Sequence, residues 1–121
     1  MNEHTDGPAG TPRFRSPEAI CDTAALAARL EDPRLRVFDC TTWLRADSED
    51  DPYRVDSALP EYRLGHVPGA AYLDLQADLS DPAAKFRFTM PDPDTLAAAF
   101  GRHGIGPDTD VVLYSRGSAQ W

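Results

Sequence analysis

Hydrophobic positions are sparse at the start of the chain and then recur as short apolar runs separated by polar, proline-marked breaks. Leu35-Arg36-Val37-Phe38-Asp39-Cys40, Ala70-Ala71-Tyr72-Leu73-Asp74-Leu75 and Val111-Val112-Leu113-Tyr114 are each short enough for a strand. Their largely apolar character suits strands buried in a parallel sheet. Glu18-Ala19-Ile20-Cys21 reads as a further short extended piece. Between these runs the spacing turns helical. Leu26 and Leu30 share one face of a helix over Thr23 to Leu30, with Asp22 placed to accept a first-turn N–H and Asp32-Pro33 as the stop. Asp92 caps a second helix, with Pro93 at its first position, running through Thr95 to Phe100 and ending near Gly104.

The order is strand, helix, strand, long loop, strand, helix, strand. It predicts an α/β fold with a parallel sheet. In such sheets ligands gather beyond the carboxyl ends of the strands, here the residues after Asp39, Leu75 and Tyr114. After Tyr114 the chain is a small, glycine-containing turn, Ser115-Arg116-Gly117-Ser118, whose backbone N–H groups could converge on an anion. Residues 45 to 60 are acidic and proline-containing and read as a surface loop; residues 76 to 90 read as irregular, with a turn at Asp81-Pro82. Residues 1 to 16 are rich in Gly, Pro, Thr and charge, which predicts a loose tail and leaves 17 to 121 as one domain.

Composition narrows the function more than the fold. With 12 basic and 20 acidic residues the net charge is −8, which argues against nucleic acid and against docking on anionic lipid. No run approaches the roughly 20 apolar residues of a membrane span, and the polar N-terminus lacks a signal-peptide core. A cytoplasmic setting with free thiols is the expectation. The two cysteines, Cys21 and Cys40, are too few for a disulfide scaffold or a Cys-rich zinc site. His4, His66 and His103 lack short-range ligand spacing, so neither a metal nor a cofactor is expected.

Glu61-Tyr62-Arg63-Leu64-Gly65-His66-Val67-Pro68-Gly69-Ala70 resembles the signature that precedes the third strand of rhodanese domains. Asp39 matches that family's strand-terminal aspartate, and Gly104-Ile105 through Val111-Val112-Leu113-Tyr114 resembles its Gly-Ile, turn and strand. The three matches occur in the family's order and cover about residues 18 to 121. Asp39-Cys40-Thr41-Thr42-Trp43-Leu44, the long 45 to 60 insertion and the Asp74-Leu75 pair are similar to the first, usually non-catalytic domain of tandem thiosulfate and 3-mercaptopyruvate sulfurtransferases.

The resemblance implies a rhodanese-like parallel sheet with flanking helices, incomplete at its C-terminal end. It also implies transfer of sulfane sulfur from thiosulfate or 3-mercaptopyruvate to a thiol or cyanide. In the family a cysteine thiolate, its pKa lowered by loop N–H groups and a helix start, opens a Cys-x-x-Gly-x-Arg loop directly after the strand. Ser115 stands at the nucleophile position, Gln120 at the closing arginine, and Gly117 one place from the glycine. A serine hydroxyl without a base is too weak an acid to substitute, so no catalytic residue is expected in this chain. The implied partner is a catalytic rhodanese domain in the same or another chain, with a small sulfur-donor anion as ligand. The alternative is an inactive rhodanese-like module that binds a protein or a small anion. An arsenate reductase or phosphatase relative would need the same loop cysteine and is disfavoured.

Of the residues in these motifs, Asp39, Gly65, His66, Pro68 and Gly69 are expected to be structural, and Phe38 and Trp43 to pack. Cys40 reads as a buried thiol with no flanking cation, and Cys21 as core or strand edge. Arg116 could contact an anion beside the loop amides or be a solvated charge. The family's sheet order is one, five, four, two, three, with the fifth strand falling after Trp121. The strand at Val111 to Tyr114 is therefore expected at an exposed edge, and the chain to be marginally stable.

Overall fold

The computed structural model describes residues 15–50 and 52–117. Five strands and four α-helices follow one another as α1 (Thr23–Ala27), β1 (Leu35–Asp39), β2 (Thr42–Arg45), β3 (Arg54–Ser57), α2 (Leu59–Leu64), β4 (Ala71–Tyr72), α3 (Leu75–Asp78), α4 (Pro93–Arg102) and β5 (Asp110–Tyr114). A parallel sheet has the order β4-β1-β5, and β2 and β3 form a separate antiparallel hairpin. The expected α/β class and the neighbours of β1 are as observed, and β5 lies at the edge. The expected tail over 1 to 16 lies outside the described residues except for Arg15 and Ser16.

Both helix caps form as their residues dictate. The Asp22 carboxylate accepts from the Ala25 amide, and that of Asp92 accepts from the Thr95 amide. Gly104 adopts φ +77, a left-handed conformation that ends α4 without strain. α1 is shorter than its leucine spacing predicts. It stops at Ala27, before Asp32-Pro33, and turns carry the chain onward.

Other expectations need correcting. Glu18 to Cys21 is no strand: Pro17–Ala19 is a single 3₁₀ turn, and Ile20 after it is extended but joins no ladder among the described residues. Proline begins a turn readily and cannot donate to a ladder. A gap of about 340 Å³ separates Ala19–Cys21 from Val111–Leu113. The 45 to 60 loop contains β3, paired to β2 with Trp43 opposite Asp56 and Leu44 opposite Val55. Of the Ala70 to Leu75 strand only Ala71–Tyr72 pairs, because the Asp74 carboxylate caps α3 by accepting from Gln76 and Ala77. α2, over Leu59–Leu64, was also unexpected; it starts on Leu59-Pro60 inside the Pro-rich stretch.

Phe38, Cys40 and Leu73 form the buried centre, with Leu75, Leu79 and Ile105 packed against it. The core is small, and it sits under the carboxyl ends of the strands.

Candidate functional site

The parallel register brings the carboxyl ends of all three sheet strands level, with Asp39 opposite both Tyr72 and Tyr114. The ladder continues past the strands: the Cys40 amide donates to the Tyr114 carbonyl at 2.8 Å and the Leu73 amide to the Asp39 carbonyl at 2.9 Å. What leaves β1 therefore meets what leaves β5.

Asp39 is fully buried. Its Oδ1 accepts from the Thr41 amide at 3.0 Å and from Thr41 Oγ1 at 2.6 Å, an Asx turn closed by a hydroxyl. The Thr41 hydroxyl in turn accepts from the Arg116 amide at 2.9 Å. Arg116 Nε lies 3.5 Å from Asp39 Oδ2, an ion pair without hydrogen-bond geometry, and Nη2 donates to the Gly65 carbonyl. The loop after β5 is thus fastened to β1 by side chain and main chain together. The Arg116 guanidinium spans the Asp39 carboxylate and the Gly65 carbonyl.

Of the predicted site residues, Asp39, Gly65, Arg116 and Gly117 come together here. Ser118 lies outside the described residues. Gly117 adopts φ +80, and a Cβ there would stand 3.8 Å from the Trp43 ring, so Trp43 flanks the loop. Arg45 lies over that ring at 5.6 Å. His66 stands apart and exposed. Its ring stacks on Tyr62 at 3.9 Å, and Nδ1 donates to the Tyr62 carbonyl, which requires the proton on Nδ1. Gly69, at φ +81, sits in the turn between α2 and β4.

Three hydroxyls in this network escaped the sequence reading. Thr41 could have been found as a hydroxyl residue two places after a strand-terminal aspartate. Tyr72 donates to the Thr41 carbonyl at 2.7 Å and accepts from the Ala58 amide at 2.9 Å, which ties the hairpin to the sheet. The Tyr114 hydroxyl accepts from the Val67 amide at 3.2 Å. Burial raises the Tyr114 pKa, the Val67 bond opposes it, and Asp39 adds to the rise.

The thiols differ sharply. Cys40 is buried, and burial first, then the Asp39 charge, pushes its pKa up to about 11. A thiol so placed is a poor nucleophile at neutral pH. Cys21 is exposed, contrary to its expected core or edge position, because the segment around it does not join the sheet.

No family model matches the chain. It is 41% identical over 95 residues to a probable 3-mercaptopyruvate sulfurtransferase of Pseudomonas aeruginosa, covering 76% of this chain and 31% of that protein. It is 32% identical over 108 residues to a thiosulfate sulfurtransferase of Corynebacterium glutamicum, covering 89% and 30%. Among solved structures it matches the rhodanese fold of SseA, a 3-mercaptopyruvate sulfotransferase from Escherichia coli, with TM-score 0.59 and 29% identity over 76% of this chain and 32% of that one. The chain spans about a third of the length of the curated relatives it matches. Among the described residues no helix is long and apolar enough to cross a membrane.

Proposed function

Because the chain is a rhodanese-like domain related to the thiosulfate and 3-mercaptopyruvate sulfurtransferases, we propose that it is the non-catalytic part of such an enzyme. A catalytic rhodanese domain, in the same or another chain, would then carry sulfane sulfur from thiosulfate or 3-mercaptopyruvate to a thiol or cyanide. A cytoplasmic, thiol-reducing setting suits that chemistry.

The observation that carries this reading is the loop after β5. Ser115 stands where the family's nucleophile would be, and the Arg116 amide and guanidinium are spent on Thr41, Asp39 and Gly65. A sulfur-accepting loop needs a thiolate facing unsatisfied amides. Cys40 does not replace it, being buried and held in the thiol form.

The test is thiosulfate:cyanide turnover in the chain, together with mass spectrometry after thiosulfate treatment. No turnover above a protein-free control is expected. The Ser115→Cys variant should also stay at that level, since Gln120 still stands at the arginine position. Turnover abolished by Cys40→Ser, or a persulfide on Cys40, would refute the reading, as would a robust rate in Ser115→Cys.

A further inference from the structure

Among the described residues other than glycine, Phe88 alone holds a positive φ. At φ 60 its backbone is left-handed, a conformation in which Cβ crowds the following carbonyl and which a bulky side chain seldom adopts. Such a backbone persists where its neighbours enforce it. Three hydrogen bonds act on this one. The Asp81 amide donates to the Thr89 carbonyl at 2.8 Å, which draws the ends of the 81–89 loop together. Thr89 Oγ1 donates to the Phe86 carbonyl at 2.7 Å. The Phe88 amide donates to Gln76 Oε1 at 2.9 Å. The first two lie within the loop, and the third ties it to α3.

Phe88 also stands between two hollows. With Leu75, Leu79 and Ser80 it lines an apolar pocket of about 240 Å³. With Leu44, Tyr53 and Phe86 it lines an open cleft of about 540 Å³. Leu75 and Leu79 pack on the core of Phe38, Cys40 and Leu73, so the inner pocket lies one layer above that core. The α3 side of the pocket is fixed, because the Asp74 carboxylate caps the helix and Ser80 Oγ donates to the Leu75 carbonyl at 2.8 Å. Phe88 is the wall that a change of backbone conformation can move.

The opposing effects at residue 88 are of similar size. One neutral hydrogen bond contributes about as much as a left-handed backbone costs a bulky residue. The closed arrangement and a relaxed one therefore differ little in free energy, and the Gln76 bond decides between them. Relaxation to negative φ swings the Cβ and the ring of Phe88 off the pocket. We propose that Phe88 is a gate, latched by Gln76 in a strained backbone, whose release opens the outer cleft onto the pocket over Leu75 and Leu79.

Hydrogen exchange on the full chain, followed amide by amide along a low-denaturant series, tests it. The Phe88 amide should exchange through a local opening insensitive to denaturant, while Val37 and Phe38 follow global unfolding. Gln76→Ala should speed exchange at Phe88 about tenfold and leave Val37 and Phe38 within about twofold. The same variant should raise the fluorescence of ANS, a dye that reports exposed apolar surface. Phe88→Gly in that background removes the cost of the left-handed backbone, and exchange at residue 88, corrected for intrinsic rates, should slow several-fold. The proposal is overturned if Phe88 in the parent chain exchanges only by global unfolding, or if Gln76→Ala leaves Phe88 unchanged or speeds β1 equally. It is also overturned if faster exchange comes without a rise in ANS fluorescence, or if Phe88→Gly fails to slow it.

Discussion

At the scale of single residues, the two thiols and one carboxylate give the sharpest expectations. At neutral pH iodoacetamide should label Cys21 rapidly, and Cys40 only after unfolding; fast double labelling of native protein would contradict the burial of Cys40. The thiol also bears on alkaline stability. Its folded pKa of about 11 stands above an ordinary value of 9.0. The unfolded chain therefore loses this proton first, and its contribution to stability is complete below pH 9 and fades as pH rises towards 11. Cys40→Ala should flatten that part of a stability–pH curve. Asp39→Ala removes the acceptor for Thr41 and the counter-charge of Arg116. It should cost about 2–3 kcal/mol in denaturant unfolding, discounted for the part-exposed guanidinium, and Asp39→Asn, which can keep Oδ1, should cost less.

At the scale of elements, helix caps and the parallel neighbours of β1 were legible and the β2–β3 hairpin was not. Asp22, Asp92 and Gly104 announce helix ends through local chemistry that needs no partner, and each does what its residue type predicts. Val111 to Tyr114 was legible for the same reason: a β-branched, apolar run has few other uses. β3 was hidden because Arg54-Val55-Asp56-Ser57 is polar and becomes a strand only against β2, where Arg54 can bridge Asp47 and Asp56. Ala70 to Leu75 misled because its apolar run crosses from a two-residue strand into a helix, and the switch lies in Asp74. The site followed the same division. Asp39 and Gly65 were marked by motif and Arg116 by its place in the loop after β5, while Thr41, Tyr72 and Tyr114 act through contacts that only the fold creates. Asp74→Ala should lose about 1 kcal/mol, because two α3 amides lose their acceptor. Thermal or denaturant melts would read that loss, and no loss would mean that water replaces the cap.

At the scale of the whole molecule, β5 is an edge strand of the three-stranded sheet among the described residues. β5 pairs with β1 on one edge, and on the other it leaves Val111 at 41% and Leu113 at 58% exposed, facing the gap beside Ala19–Cys21. Beyond the Arg29–Asp110 pair at its start this edge is apolar, and an apolar edge invites strand pairing. Heating should therefore produce aggregation, and Leu113→Lys should delay turbidity without lowering the unfolding midpoint by more than about 0.5 kcal/mol equivalent. The amides of Ile20 and Cys21, outside any ladder, should exchange by local opening, well ahead of those in β1. Strong protection at Ile20 in the isolated chain would show that the gap is closed in solution.

The register of that sheet also sets a timetable. β1 makes its longest ladder with β5, from Leu35 opposite Asp110 to Asp39 opposite Tyr114. A ribosome making about 5–20 residues per second completes β1 some 4–15 s before it reaches the partner strand. Through that interval Val37 and Phe38 have no β5 to lie beside, and the hairpin and α4 are made with no finished sheet to pack on. Nascent chains halted before Asp110 should accordingly be cut by protease throughout β1, and protection should arrive in one step once Tyr114 has left the ribosome.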